Sequence, residues 1–386
     1  MLYFRKSEPD QTSSPKTCLS TRRATAPGAL DAMIRRTVTA FLTVALLAAQ
    51  TAGADDSRVL RIITWASYVP AEVIAQFKKE TGIDVQVTLS NNEEMISKLR
   101  ATGGAGFDLA QPSQDRIFGA QQEFGIYRPL DASKVKLDEF VPDLVAAVRR
   151  NATLDGKLYA LPYVWGTEGL IYNSTRTKIA DYTDLCRPEL KGRTAVRLKR
   201  PTLMAFALAS GHDPFALYHD TKAYTALMQQ VGKTLSACKA NFRFFYDNKD
   251  QLLNGVRSGE IWAAMMWDSG GWLLNRENPA IKFINPKSGA IAWMDTFALP
   301  ARGRNEAGAY AWINFVMRPE IAALVAKSIG NFTASKGADK LMDPRVRAQF
   351  AETFPDGLRN IKWYPAIPPG LEEIEGEVLD KVKAAD

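Results

Sequence analysis

Apolar and polar positions alternate between two periods along most of this chain. Val59-Leu-Arg-Ile-Ile63 has the length and branched content of a buried strand. Pro70 is placed to open a helix that carries Val73, Ile74 and Phe77 on one side and stops at Gly82. Val85-Gln-Val-Thr-Leu89 reads as the next strand, so the segment is a β-α-β unit with a parallel sheet. A second helix follows, opened by Ser90-Asn-Asn-Glu-Glu94, carrying Met95, Ile96 and Leu99, and closed by Gly103-Gly-Ala-Gly106. Phe107-Asp-Leu-Ala110 then reads as a strand leading into the turn Pro112-Ser-Gln-Asp115. Ligands in such sheets bind beyond the carboxyl ends of the strands, where Trp65, Tyr68 and Ser113 fall.

The later chain repeats the alternation. Asp155-Gly156 marks a hairpin before Leu158–Gly166 and Gly169–Tyr172, a strand pair long enough to cross between two lobes. A helix is expected over Pro201–Ser210, a strand over Phe242–Tyr246, and a helix bearing Leu252, Leu253 and Val256. Ile261-Trp-Ala-Ala-Met-Met-Trp267 reads as a strand, and helices are expected near 307–316 and 321–327. The fold class is α/β.

Between these comes Ala290-Ile-Ala-Trp-Met-Asp-Thr-Phe-Ala-Leu-Pro300, an apolar run broken by one carboxylate. A charge in such a strand is costly without a cation beside it. Asp295 is therefore either paired with an internal Lys or Arg, or faces a cleft. The tryptophans at 65, 267 and 293 favour a cleft, because an aromatic box with an acidic anchor holds an organic ammonium ion.

Charge changes the picture little. Of the net +7, seven Lys/Arg against three acids place +4 in residues 1–54, and the +3 left over argues against a nucleic-acid partner. Met33-Ile-Arg-Arg36, the uncharged core Thr37–Ala49 and Ala52-Gly-Ala54 together read as a signal peptide over 33–54, with the mature chain starting at Asp55. Residues 1–32 precede it without a pattern and are read as untranslated or unstructured. Cys186 and Cys238 remain in the exported chain, and two cysteines alone do not fix a disulfide. With only His212 and His219, and no cluster at ligand spacing, neither a transition-metal site nor a cofactor is expected. No Gly-x-Ser-x-Gly or His-Glu-x-x-His motif supports an exported hydrolase, and the chain reads as a non-enzyme. A tyrosine-held ferric ion, through Tyr68, Tyr163 and Tyr172, is a rival reading.

Trp65-Ala-Ser-Tyr-Val-Pro70, Phe107-Asp-Leu with Pro112-Ser113, Leu161-Pro-Tyr-Val-Trp-Gly166, Met266-Trp267, Trp293-Met-Asp295 and Phe315-Val-Met-Arg-Pro319 occur in one order. In this the chain resembles bacterial periplasmic polyamine-binding proteins, the spermidine/putrescine receptors of ATP-driven importers. The resemblance implies a two-lobed periplasmic-binding-protein fold (type II-like) with hinge strands, a monomer in the periplasm that hands one ligand to an inner-membrane permease. Lobe 1 is expected over 55–164 plus 296–335, and lobe 2 over 165–295 plus 336–386. It further implies that Trp65 and Trp267 pack on the ligand's methylenes, that Asp295 holds an ammonium, and that Ser67, Tyr68, Ser113 and Trp293 line the cleft. The sequence departs from the pattern in two places. Ala66-Ser67 stands where an acid is expected, and Arg197-Leu-Lys-Arg200 is basic where acids are expected. Glu93, Glu94, Asp115, Glu168 and Asp268 are candidate replacements. If Arg197 or Arg200 faces the cleft, the ligand is instead an ω-amino acid such as 4-aminobutyrate, with its carboxylate on a guanidinium.

Overall fold

The longest strand, Ala160–Asn173, runs through the middle of the sheet and organises it. In the computed structural model, which describes residues 57–355 and 361–385, this strand pairs antiparallel with Ala290–Pro300. Its far end also pairs with Ala263–Trp267 and Ile281–Ile284. Two parallel blocks flank this pair. On one side Asp84–Leu89, Val59–Thr64 and Leu109–Ala110 lie next to Ala290–Pro300. On the other, Ala263–Trp267, Thr194–Val196 and Phe242–Phe245 continue the sheet. The signal peptide read over 33–54 lies outside the described residues.

The elements follow the sequence pattern closely. Helix Ala71–Thr81 buries Val73 and Phe77 and ends at Gly82, whose φ of 73° is the left-handed geometry glycine adopts freely. Helix Asn92–Thr102 is capped by the Asn91 side chain, which accepts from the Glu94 amide. Asp155 and Gly156, with φ of 50° and 73°, form the hairpin turn between Thr153-Leu154 and Lys157-Leu158.

Two expectations change. The strands expected over Leu158–Gly166 and Gly169–Tyr172 merge into the single strand Ala160–Asn173, with Leu158 left in the hairpin, because Thr167 and Glu168 find partners there: Thr167 bonds Asp268 and Glu168 bonds Arg197. The strand expected over Phe107–Ala110 shrinks to Leu109–Ala110, because the Asp108 carboxylate accepts from the amides of Arg61, Arg304 and Asn305. Helices Pro142–Ala152, Thr221–Ala237, Asp268–Glu277 and Leu371–Ala384 were not anticipated. The last packs on Thr221–Ala237, with Val378 against Gly232.

Cys186 and Cys238 are bonded, 52 residues apart in sequence. A loop of that length confines the unfolded chain appreciably. Replacing both cysteines with serine is expected to lower the unfolding free energy by about 4 kcal/mol, read from urea titrations with and without reductant.

Candidate functional site

Both parallel blocks direct the carboxyl ends of their strands toward the central pair. The first block supplies Trp65 after Val59–Thr64, Asn92 just after Asp84–Leu89, and Ser113 after Leu109–Ala110. The second supplies Arg197 after Thr194–Val196, Tyr246 after Phe242–Phe245, and Trp267 at the end of its own strand. Residues opposed across an antiparallel pair share a face. Asp295 opposes Val164, Trp293 opposes Gly166, Ile291 opposes Glu168, and Glu168 opposes Trp267. Asp295, Trp293, Glu168 and Trp267 therefore lie on one face. Asp295 and Ile291 are about 13 Å apart along the strand, at roughly 3.3 Å per residue.

Asp295 sits just before a bulge in its strand and is 3% exposed. Its Oδ2 accepts from the Tyr68 hydroxyl at 2.5 Å and its Oδ1 from the Ser113 hydroxyl at 2.6 Å. Each donor is itself fixed. Tyr163 donates to the Tyr68 carbonyl at 2.7 Å and meets the Tyr68 ring edge-on. The Asn92 amide donates to Ser113 Oγ at 2.9 Å, and its carbonyl accepts from the Ser113 amide at 3.0 Å. With one lone pair occupied by Asn92, the Ser113 hydroxyl proton points at Asp295. No Lys or Arg among the described residues pairs with this carboxylate. Burial pushes its pKa up to about 7, helped by nearby Asp115 and opposed by the two hydroxyls.

Two tryptophans lie on the neighbouring turn and strand. Trp65 is half-buried and donates from its indole to the Gln111 carbonyl at 2.8 Å. Trp293 lies across Gly166, where an added Cβ would stand 2.6 Å from its ring. Its indole nitrogen is buried with no hydrogen-bond partner. Ser67 is exposed in the turn, in left-handed geometry at φ 69°, and its carbonyl accepts from Ser328. It shapes the turn that carries Tyr68 inward.

The basic segment is engaged with acids. Arg197 Nη2 lies 2.6 Å from Glu168 Oε1, and its guanidinium stacks 4.7 Å from the Trp267 ring centre. Arg200 is buried between Asp115 at 3.4 Å and Glu375 at 3.5 Å, and also donates to the Tyr218 hydroxyl. Tyr364 lies under Arg200 at 5.2 Å, and its hydroxyl is buried without a partner. Burial raises the Glu168 pKa, with Arg197 opposing.

Of the other candidate acids, Glu93 is exposed beside Arg116, and Glu94 faces Lys98. Asp268 is closed off by Thr167, the Ser269 amide and Asn331, so it has no free lone pair to offer. Of the buried carboxylates Asp115, Glu168, Glu375 and Asp295, the first three share Arg197 or Arg200, and Asp295 alone has no cation. Sequence reading missed Asn92, Glu375 and Tyr364. Asn92 had been assigned only to the start of a helix, and the other two carry no local signal.

Two parallel α/β blocks joined through a long antiparallel strand pair give the fold of a two-lobed solute receptor. The family model described as bacterial extracellular solute-binding protein matches residues 72–351, and the chain belongs to that family. It is 30% identical over 345 residues to the spermidine/putrescine-binding periplasmic protein of Escherichia coli K12, covering 86% of this chain and 94% of the relative. It is also 30% identical over 355 residues to the putrescine-binding periplasmic protein PotF of that organism, covering 86% and 93%. A solved structure from Listeria monocytogenes, named for a spermidine/putrescine ABC transporter, superposes with a TM-score of 0.74 at 26% identity, covering 86% of this chain and all of that one.

The Asp295 geometry sets a pH signature. A carboxyl group whose folded pKa is raised gives stability present at low pH and lost as pH rises through the folded value. The ligand-free protein is expected to lose up to roughly 4 kcal/mol relative to Asp295→Asn between pH 4 and 7, measured by parallel urea titrations. Gly166→Ala is expected to cost about 1–3 kcal/mol by driving a methyl into Trp293 and Asn331, checked the same way.

Proposed function

We propose that this chain is the periplasmic receptor of an ATP-driven importer, exported by residues 33–54, that binds a small linear organic amine of the putrescine/spermidine class and delivers it to an inner-membrane permease. The observation that carries this reading is the buried Asp295, held by two oriented hydroxyls and lacking a cation. An ammonium is the partner that such a site lacks, and it would gain both the charge and the two-hydroxyl cradle at once. Trp65 and Trp293 would cover the methylene chain, Trp267 would bound the far end with Arg197 stacked on it, and Tyr68 and Ser113 would hold the carboxylate. The relatives named for polyamines support the same class.

The lobes would be 55–164 plus 296–335 and 165–295 plus 336–386, hinged where Ala160–Asn173 and Ala290–Pro300 run side by side. A ligand touching Asp295 and Trp267 would favour closure by its higher affinity for the closed state. The receptor would act as a monomer and return its ligand unchanged. An ω-amino acid requires a guanidinium free to take its carboxylate. The pairing of Arg197 with Glu168 and of Arg200 with Asp115 and Glu375 weighs against that, and gives Arg200 a structural place in the site.

Thermal-shift and calorimetric titrations of the 55–386 protein with putrescine, spermidine and 4-aminobutyrate test the reading, since a ligand bound only by the folded state raises its apparent stability. Binding of an amine that Asp295→Asn weakens about 30-fold or more is expected. An unchanged dissociation constant in that variant would remove Asp295 from the site.

A further inference from the structure

Arg197 does on this face what a ligand amine would do. Its guanidinium lies over the Trp267 ring and its Nη2 bonds Oε1 of the buried Glu168, so one tethered cation takes an aromatic face and matches a carboxylate's charge. The Glu168 that it bonds opposes Ile291, on the same sheet face as Asp295 and four residues along that strand. The other nearby acid, Asp115, is likewise taken by Arg200. Arg197 takes only the Oε1 of Glu168; the Glu168 Oε2 is buried without a hydrogen-bond partner, and so are two groups able to donate, the Trp293 indole nitrogen and the Tyr364 hydroxyl.

We propose that Arg197 is a specificity-determining residue that occupies the place of a second ligand ammonium. The receptor then selects a linear amine with one ammonium, held by Asp295, and an uncharged far end that accepts hydrogen bonds. An N-acylated diamine has this chemistry. A free diamine would bring its second ammonium toward the Arg197 guanidinium, where the one negative charge of Glu168 is already matched by Arg197, and like charges brought together in a desolvated site repel strongly. A carboxylate end would meet guanidiniums already neutralised by Glu168, Asp115 and Glu375. This inference rests on the amine-receptor reading above.

Calorimetry with N-acetylputrescine, putrescine and 4-aminobutyrate on the native protein is the first test. N-acetylputrescine is expected to bind at least about tenfold more tightly than either of the others. In Arg197→Met the freed Glu168 and Trp267 become a second amine site, and putrescine affinity is expected to rise about tenfold or more. The double variant Arg197→Met/Glu168→Gln removes the carboxylate too and should lose that gain; it leaves no buried charge unpaired if the single variant fails to fold. Putrescine binding the native protein more tightly than N-acetylputrescine would overturn the inference while leaving the amine-receptor reading intact. A putrescine affinity unchanged by Arg197→Met would also overturn it. No binding of any amine would sink both.

Discussion

A buried carboxylate without a cation is the constraint on which this site depends. Asp295 interrupts a long, largely apolar strand, where a charge is tolerated only with compensation. Two hydroxyls supply part of it, and the surroundings hold each hydroxyl in place: Tyr163 fixes Tyr68, and Asn92 fixes Ser113. The remaining deficit appears as a carboxyl group poised near neutrality, with a pKa of about 7. In the proposed reading an ammonium ion removes that deficit, so affinity would come from a cost already present in the empty receptor.

The same rule explains the other ionic groups by contrast. Asp268 is as deeply buried as Asp295, but backbone and side-chain donors surround it, and it serves to lock Thr167 and Asn331 beside the central strand. Arg200 bridges Asp115, which follows the first parallel block, to Glu375 in the C-terminal helix. It thereby ties distant parts of the chain around Tyr364. Arg197 and Glu168 cancel each other, with the guanidinium over the Trp267 ring. Charges that are matched or fully hydrogen-bonded build the frame, and Asp295, with two hydroxyls and no cation, is the place proposed for a ligand.

Much of the frame was legible in the sequence because it rests on local signals. Pro70, Gly82, the Asn91 cap and Asp155-Gly156 each act within a few residues, and the elements they bound appear where expected. Asp295 also stood out locally, as a charge in an apolar run. Pairing between distant residues was not legible. Arg197 and Arg200 read equally well as solvent-facing or cleft-facing, because their partners Glu168, Asp115 and Glu375 lie 29, 85 and 175 residues away in sequence. Glu168 was read as a break between two strands for the same reason: only the folded sheet brings Arg197 to it. Tyr364 and Asn92 enter through tertiary contacts that no spacing announces.

The central claim is that ligand binding completes the charge of Asp295, and proton release on binding tests it most directly. Calorimetry at pH 6.5 in two buffers of different ionisation enthalpy, with the tightest-binding of putrescine, spermidine and N-acetylputrescine, counts the protons that leave. With a carboxyl near pKa 7 in the empty protein, a substantial fraction of one proton should be released, and none in Asp295→Asn. Tight binding to the native protein with no proton released, or the same release in the variant, would contradict the account.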